Sequence, residues 1–182
     1  ILCKQTMIFI ATLCFYDLET TGLSSAFDQV LRFAAIRTDF QLNELDRLEI
    51  KVKLRHDIIP NAGALIINRL SLRDIEHGDA EYEALRKIHG YLNTPGTVSA
   101  GYNSLSFDND FLRYNFYRNL LDSYTHEWKD GCGMIDIMPI TAYYYFFKPG
   151  AIKWPNEKNV LRLENLNKAN NLTEGMSHDA MA

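Results

Sequence analysis

The chain has 182 residues, 47% of them hydrophobic and 23% charged. That is an ordinary soluble composition, enough for one domain with a substantial core, and it excludes a low-complexity or disordered chain. A net charge of −4 does not advertise nucleic-acid binding, yet a carboxylate-rich metal centre adds negative charge and local basic patches decide contact. Cys3, Cys14 and Cys132 form no C-x-x-C pair, which speaks against a zinc site and for a reducing, cytoplasmic setting.

In chain order, the apolar run Met7 to Phe15 reads as a buried central strand. It imitates a signal peptide, but it leads straight into Asp17 and Glu19 with no small-residue cleavage site. It is also too short to span a bilayer as a helix, so no membrane partner is expected. Val30 to Thr38 predicts a second central strand. Leu48, Ile50, Val52 and Leu54 alternate with Glu49, Lys51, Lys53 and Arg55, the period of a half-exposed antiparallel strand. Pro60 and Gly63 break the pattern, and Ser71 caps a short helix over Leu72 to His77. Tyr82, Leu85, Ile88, His89 and Leu92 recur at helical spacing until Thr94-Pro95-Gly96. Thr97 to Gly101 is a short strand. Asp108 opens a helix with Leu112, Phe116 and Leu120 on one face. A helix follows over Ile135 to Phe147, then a loop over Gly150 to Asn159, a helix over Leu161 to Ala169, and a cap at Ser177. Three early strands followed by mixed elements predict a single α/β domain with a mixed sheet flanked by helices.

Three segments carry chemistry. Residues two apart on a strand share a face, so Asp17 and Glu19 project together from the end of an apolar strand. Adjacent carboxylates raise each other's pKa unless a cation separates them, and a hard divalent ion with oxygen ligands fits that need. Asp108 sits where a helix begins, as a cap or as a third ligand. His178, in Ser177-His178-Asp179-Ala180, is a lone histidine near the chain end, readable as an ordinary surface residue or as a functional one, since an unperturbed imidazole with a pKa of about 6.5 suits proton transfer near neutrality.

Together, Asp17-Leu18-Glu19-Thr20-Thr21-Gly22, Asn103 to Asp108 and His178-Asp179-Ala180 resemble the DEDDh branch of the DEDD superfamily of 3′→5′ exonucleases. Gly101-Tyr102-Asn103, Phe116-Tyr117-Arg118-Asn119, Ile152-Lys153-Trp154-Pro155, Arg162 to Leu166 and Lys168-Ala169-Asn170 are similar to the nuclease domain of the bacterial exonuclease I family. The resemblance spans nearly the whole chain. It implies a ribonuclease H-like fold with about five strands and hydrolysis of single-stranded DNA from its 3′ end to 5′-mononucleotides. It further implies two Mg²⁺ ions, with Mn²⁺ as a substitute, and a role in DNA repair and recombination.

On this reading Asp17, Glu19 and Asp108 hold metal and His178 activates water. Glu19, Arg113, Tyr124, Trp128 and Arg162 match family positions that contact the strand or its 3′ nucleotide. By spacing alone, Tyr124 and Trp128 are equally core residues, and Arg113 and Arg162 equally surface charges. Pro139 stands where the family pattern has a basic residue. The family's fourth carboxylate follows the histidine by five positions, which is 183 here, one past Ala182. The resemblance therefore predicts an exonuclease domain over residues 1–182 that is cut just short of its last ligand, with weak or no activity as it stands. A monomer is expected, with contact to a single-strand-binding protein made through further C-terminal domains. Two rival expectations are another DEDDh enzyme, for proofreading or RNA trimming, and a non-catalytic single-strand-binding module.

Overall fold

The computed structural model describes residues 11–156 and 158–172. Five strands form one sheet: β1 (Thr12–Thr20), β2 (Val30–Thr38), β3 (Glu44–Lys51), β4 (Thr97–Gly101) and β5 (Gly133–Asp136), in the order β3-β2-β1-β4-β5. The β1–β2 and β2–β3 pairs are antiparallel, and β1–β4 and β4–β5 are parallel. The helices are α1 (Ala62–Asn68), α2 (Leu72–Glu76), α3 (Glu81–Leu92), α4 (Asp108–Arg118), α5 (Ile137–Phe147) and α6 (Leu163–Ala169). This is the mixed, helix-flanked sheet that the sequence predicts. Among the described residues no helix is long and apolar enough to cross a membrane.

The alternation within β1 builds the core. Cys14, Tyr16 and Leu18 point to one face and pack with Phe33 and Ala35 of β2. Leu85, Ile88 and Leu92 of α3 and Phe111, Leu112 and Phe116 of α4 close over them. Burying each such aliphatic or aromatic side chain contributes roughly 1.5–3 kcal/mol, so the two helices are held firmly on that face.

Several boundaries differ from the sequence reading, each for a local reason. Strand β1 carries Asp17 and Glu19 at its end, as expected, because Tyr16 and Leu18 keep the apolar alternation going. Residues Met7 to Ile10 of the expected strand lie outside the described residues. Strand β3 begins earlier than expected, where the Asp39 carboxylate accepts the N–H groups of Gln41 and Asn43, each at 2.9 Å. That turn closes a hairpin. The alternation itself holds, with Ile50 and Val52 buried and Val52 in an isolated bridge to Asp79.

The break at Pro60 is the start of α1, whose N-cap Asn61 accepts from Gly63 N at 2.8 Å and Ala64 N at 3.3 Å. Ser71 and Asp74 form the expected cap of α2 as a reciprocal capping box. The expected helix over Ile135 to Phe147 divides. Its first residues pair with β4 as β5, and the Asp136 side chain then caps α5 by accepting from Met138 N at 2.9 Å. Leu120 falls beyond α4 with a positive φ of 58° and is 94% exposed, so it does not share the face of Leu112 and Phe116. The last helix starts two residues later than expected, at Leu163.

Gly101 lets the chain leave β4 and fold back at once. A Cβ there would lie 2.6 Å from Ser104 Cβ. We expect Gly101→Ala to cost about 1–3 kcal/mol, the range for forced overpacking, measured as a lower denaturation midpoint with an unchanged slope.

Candidate active site

The last β1–β4 pair is Phe15 with Ala100, so β1 runs on past the end of β4 and leaves backbone groups uncovered on that edge. Asp108 takes one of them: the Leu18 N–H donates to its carboxylate. The turn from β4 thus brings the first residue of α4 back against the strand that carries Asp17 and Glu19. Asp108 and Glu19 are buried, while Asp17 is exposed.

Electrostatics show how closely the three groups are coupled. The Asp108 carboxyl is pushed up from 3.8 to about 8, first by burial and next by the negative charge of Asp17, with a smaller push from Glu19. The sequence reading expects these three carboxylates to converge on one cation. Their donor chemistry, hard oxygens that repel one another, fits a divalent cation. Even so, among the described residues no three His, Cys, Asp or Glu side chains are gathered closely enough to hold a metal as they stand. The carboxylates share a field without closing on one point. His178, with the whole His178-Asp179 segment, lies outside the described residues.

Residues to which the sequence reading gave no role hold this corner in place. Asp136 at the end of β5 accepts Asn103 N at 2.9 Å and Leu105 N at 3.2 Å, fixing the turn that delivers Asp108. Asn61 N donates to Thr21 O at 2.7 Å and Asn68 Nδ2 to Thr20 O at 3.0 Å, so α1 anchors the segment just after Glu19. Arg118 donates to Ala26 O at 2.6 Å and Asp28 O at 2.7 Å, tying the far end of α4 to the loop between β1 and β2. Buried acceptors need donors, but no local spacing signals which distant side chain supplies them.

With this geometry in view, comparison with known proteins is decisive. The model of the exonuclease family RNase_T matches residues 14–182. The chain belongs to this exonuclease family. Exodeoxyribonuclease I of Escherichia coli is 34% identical over 177 residues, which cover 94% of this chain and 37% of that protein. The crystal structure of the zinc-bound E. coli ExoI–ssDNA complex superposes with a TM-score of 0.90 at 33% identity, over 94% of this chain and 37% of that one. An ExoI/SSB-Ct complex aligns with a TM-score of 0.88 at 31% identity, over 93% of this chain and 38% of that one. The exonuclease chain described here therefore spans well under half the length of these relatives.

Within this exonuclease fold, the residues expected to touch a strand separate into two kinds. Tyr124 is 55% exposed and Trp128 68% exposed, which removes the core reading for both. Arg113 lies under Tyr124, its guanidinium 5.2 Å from the ring centre, and is paired with Glu127 and Asp110. Arg162 precedes α6 and is paired with Glu164 at 2.8 Å. It lines an open cavity of about 550 Å³ together with Tyr102, Met138, Tyr145 and Phe146. Pro139 occupies the first turn of α5, where its missing N–H costs nothing.

The raised Asp108 pKa has a defined sign for stability. The folded protein holds a proton that the unfolded chain releases above pH 3.8, so stability falls as pH rises toward about 8. In chelator, we expect the melting temperature to drop across that window. Asp108→Asn should flatten the drop and stabilise the metal-free protein at the alkaline end.

Proposed function

We propose that this chain is the catalytic part of a 3′→5′ exonuclease that shortens single-stranded DNA and releases 5′-mononucleotides, acting as a monomer in cytoplasmic DNA repair and recombination. The observation that carries the reading is the buried Asp108 held against β1 within the field of Asp17 and Glu19. A fold needs no such repulsion for stability, and a divalent ion relieves it. The similarity to exonuclease I over almost the whole chain supports the reaction class and the substrate.

On this reading Asp17, Glu19 and Asp108 are the metal ligands. Two Mg²⁺ ions, or Mn²⁺ in their place, would supply Lewis-acid activation of water and charge neutralisation at the phosphate when bound. Hard carboxylate donors favour Mg²⁺, although the exonuclease I relative was crystallised with zinc. His178 takes the proton of the attacking water on an imidazole nitrogen, its unperturbed pKa of about 6.5 suiting transfer near neutrality. Glu19 and Arg162 flank the terminal nucleotide. Tyr124 and Trp128 present ring faces to the bases, and such stacking tolerates any sequence because every base has a π-face. A single-strand-binding protein is the expected macromolecular partner, in keeping with the similarity to the ExoI/SSB-Ct complex.

The central test compares matched DNA and RNA oligonucleotides with Mg²⁺, using the full-length protein. Mononucleotides should appear from the 3′ end of DNA, and Asp17→Ala should abolish them. Preference for RNA would point to an RNA-trimming relative, and tight binding without release to a binding module. His178→Ala should lower kcat by about 10²–10⁴-fold while leaving single-strand affinity near its original value. Trp128→Ala should weaken strand binding by about 1–3 kcal/mol with an unchanged melting temperature, since the ring is exposed.

A further inference from the structure

Arg113 lies in α4, against the exposed Tyr124 ring, where the family resemblance implies a contact with the strand. Its guanidinium is already occupied. Nε donates to Glu127 Oε1 at 2.7 Å and Nη2 to Glu127 Oε2 at 2.9 Å, a bidentate pair, while Nη1 donates to Asp110 Oδ1 at 3.2 Å. Three of the five guanidinium N–H groups therefore face carboxylates. The trio of one cation and two anions carries a net negative charge. Glu127 is well shielded, with 15% of its side chain exposed, against 28% for Arg113. The pair is thus less screened than a surface ion pair, and the match of fork to carboxylate is the strong form of this contact. The Arg113 pKa is raised, chiefly by its hydrogen bond to Glu127.

We propose that Glu127 masks the charge of Arg113 and sets the affinity and salt sensitivity of single-strand binding beside Tyr124 and Trp128. Glu127 turns Arg113 from a phosphate contact into a rigid support for the Tyr124 ring, which lies 5.2 Å from the guanidinium. A strand crossing this surface is then gripped by stacking more than by ionic contact. The proposal rests on the single-strand reading above.

The test measures binding of a labelled oligothymidylate in chelator as salt is varied. For the original protein, Arg113→Ala should leave the log–log salt slope unchanged, because the masked cation releases no counterion. Glu127→Gln keeps the shape, removes the charge and exposes Arg113 to phosphate. It should tighten binding and steepen the slope by about 0.7, the value for one added phosphate contact on a single strand. Asp110→Asn should act in the same direction, which guards against misfolding of the first variant. The Arg113→Ala, Glu127→Gln double variant should return to the original slope.

An unchanged slope in both neutralising variants, with normal oligonucleotide binding by the original protein, would overturn the masking role alone. So would a shallower slope in Arg113→Ala. If the original protein does not bind the oligothymidylate at all, the single-strand reading falls and the proposal with it.

Discussion

The arrangement depends on one unfavourable contact: a buried carboxylate placed within reach of two others. Once ionised, Asp108 is repelled by Asp17 and Glu19, so the surrounding structure must restrain it. Restraint acts on both ends of α4. At the start, Asp136 grips the preceding turn and Gly101 lets that turn press against β4. At the far end, Arg118 is fastened to the carbonyls of Ala26 and Asp28. The apolar face of the helix, through Phe111, Leu112 and Phe116, fixes its height above the sheet. Preorganisation of this kind is what a site needs when its ligand stabilises a charge pattern that the empty protein tolerates poorly.

The exposed rings beyond α4 bear on the proposal that an acidic chain binds a polyanion. Exposed tyrosine and tryptophan rings offer contact that is indifferent to net charge, while the nearby arginine is bound by carboxylates. His126, packed against Phe116, is buried, and its pKa is lowered to about 4, chiefly by burial. It stays neutral and adds no cation to the surface near neutrality. Stacking of this kind is weakened less by high salt than ionic contact is.

Much of this was legible in the sequence because it obeys short periods. The alternation in β1 placed Asp17 and Glu19, the helical spacing after Asp108 placed Leu112 and Phe116, and the motif order indicated the family. What stayed hidden depends on contacts distant along the chain. Nothing in Gly133 to Asp136 announces a strand until β4 lies beside it, and Asn61 looks like part of a break until its cap and its bond to Thr21 are seen. Arg113 was readable as a cation. That it is claimed by Glu127, fourteen positions away, follows only from the fold of the intervening turn. Leu120 erred the other way: its spacing suited the helix face, but the helix had already ended.

The parallel pairing of β1 with β4 has a kinetic side. Thr12 and Thr97, partners in that ladder, are 85 positions apart, so this contact closes a long loop, and loop entropy must be spent before the pairing repays it. The antiparallel β1–β2–β3 meander closes much shorter loops and can form first. Asp17 and Glu19 thus lie on a strand of the local meander, whereas the position of Asp108 depends on the non-local β1–β4 pairing, the class of contact that topology makes slow to form. Asp108 follows β4 in the chain, so the non-local pairing of β4 with β1 is also what brings this carboxylate against the strand that carries Asp17 and Glu19.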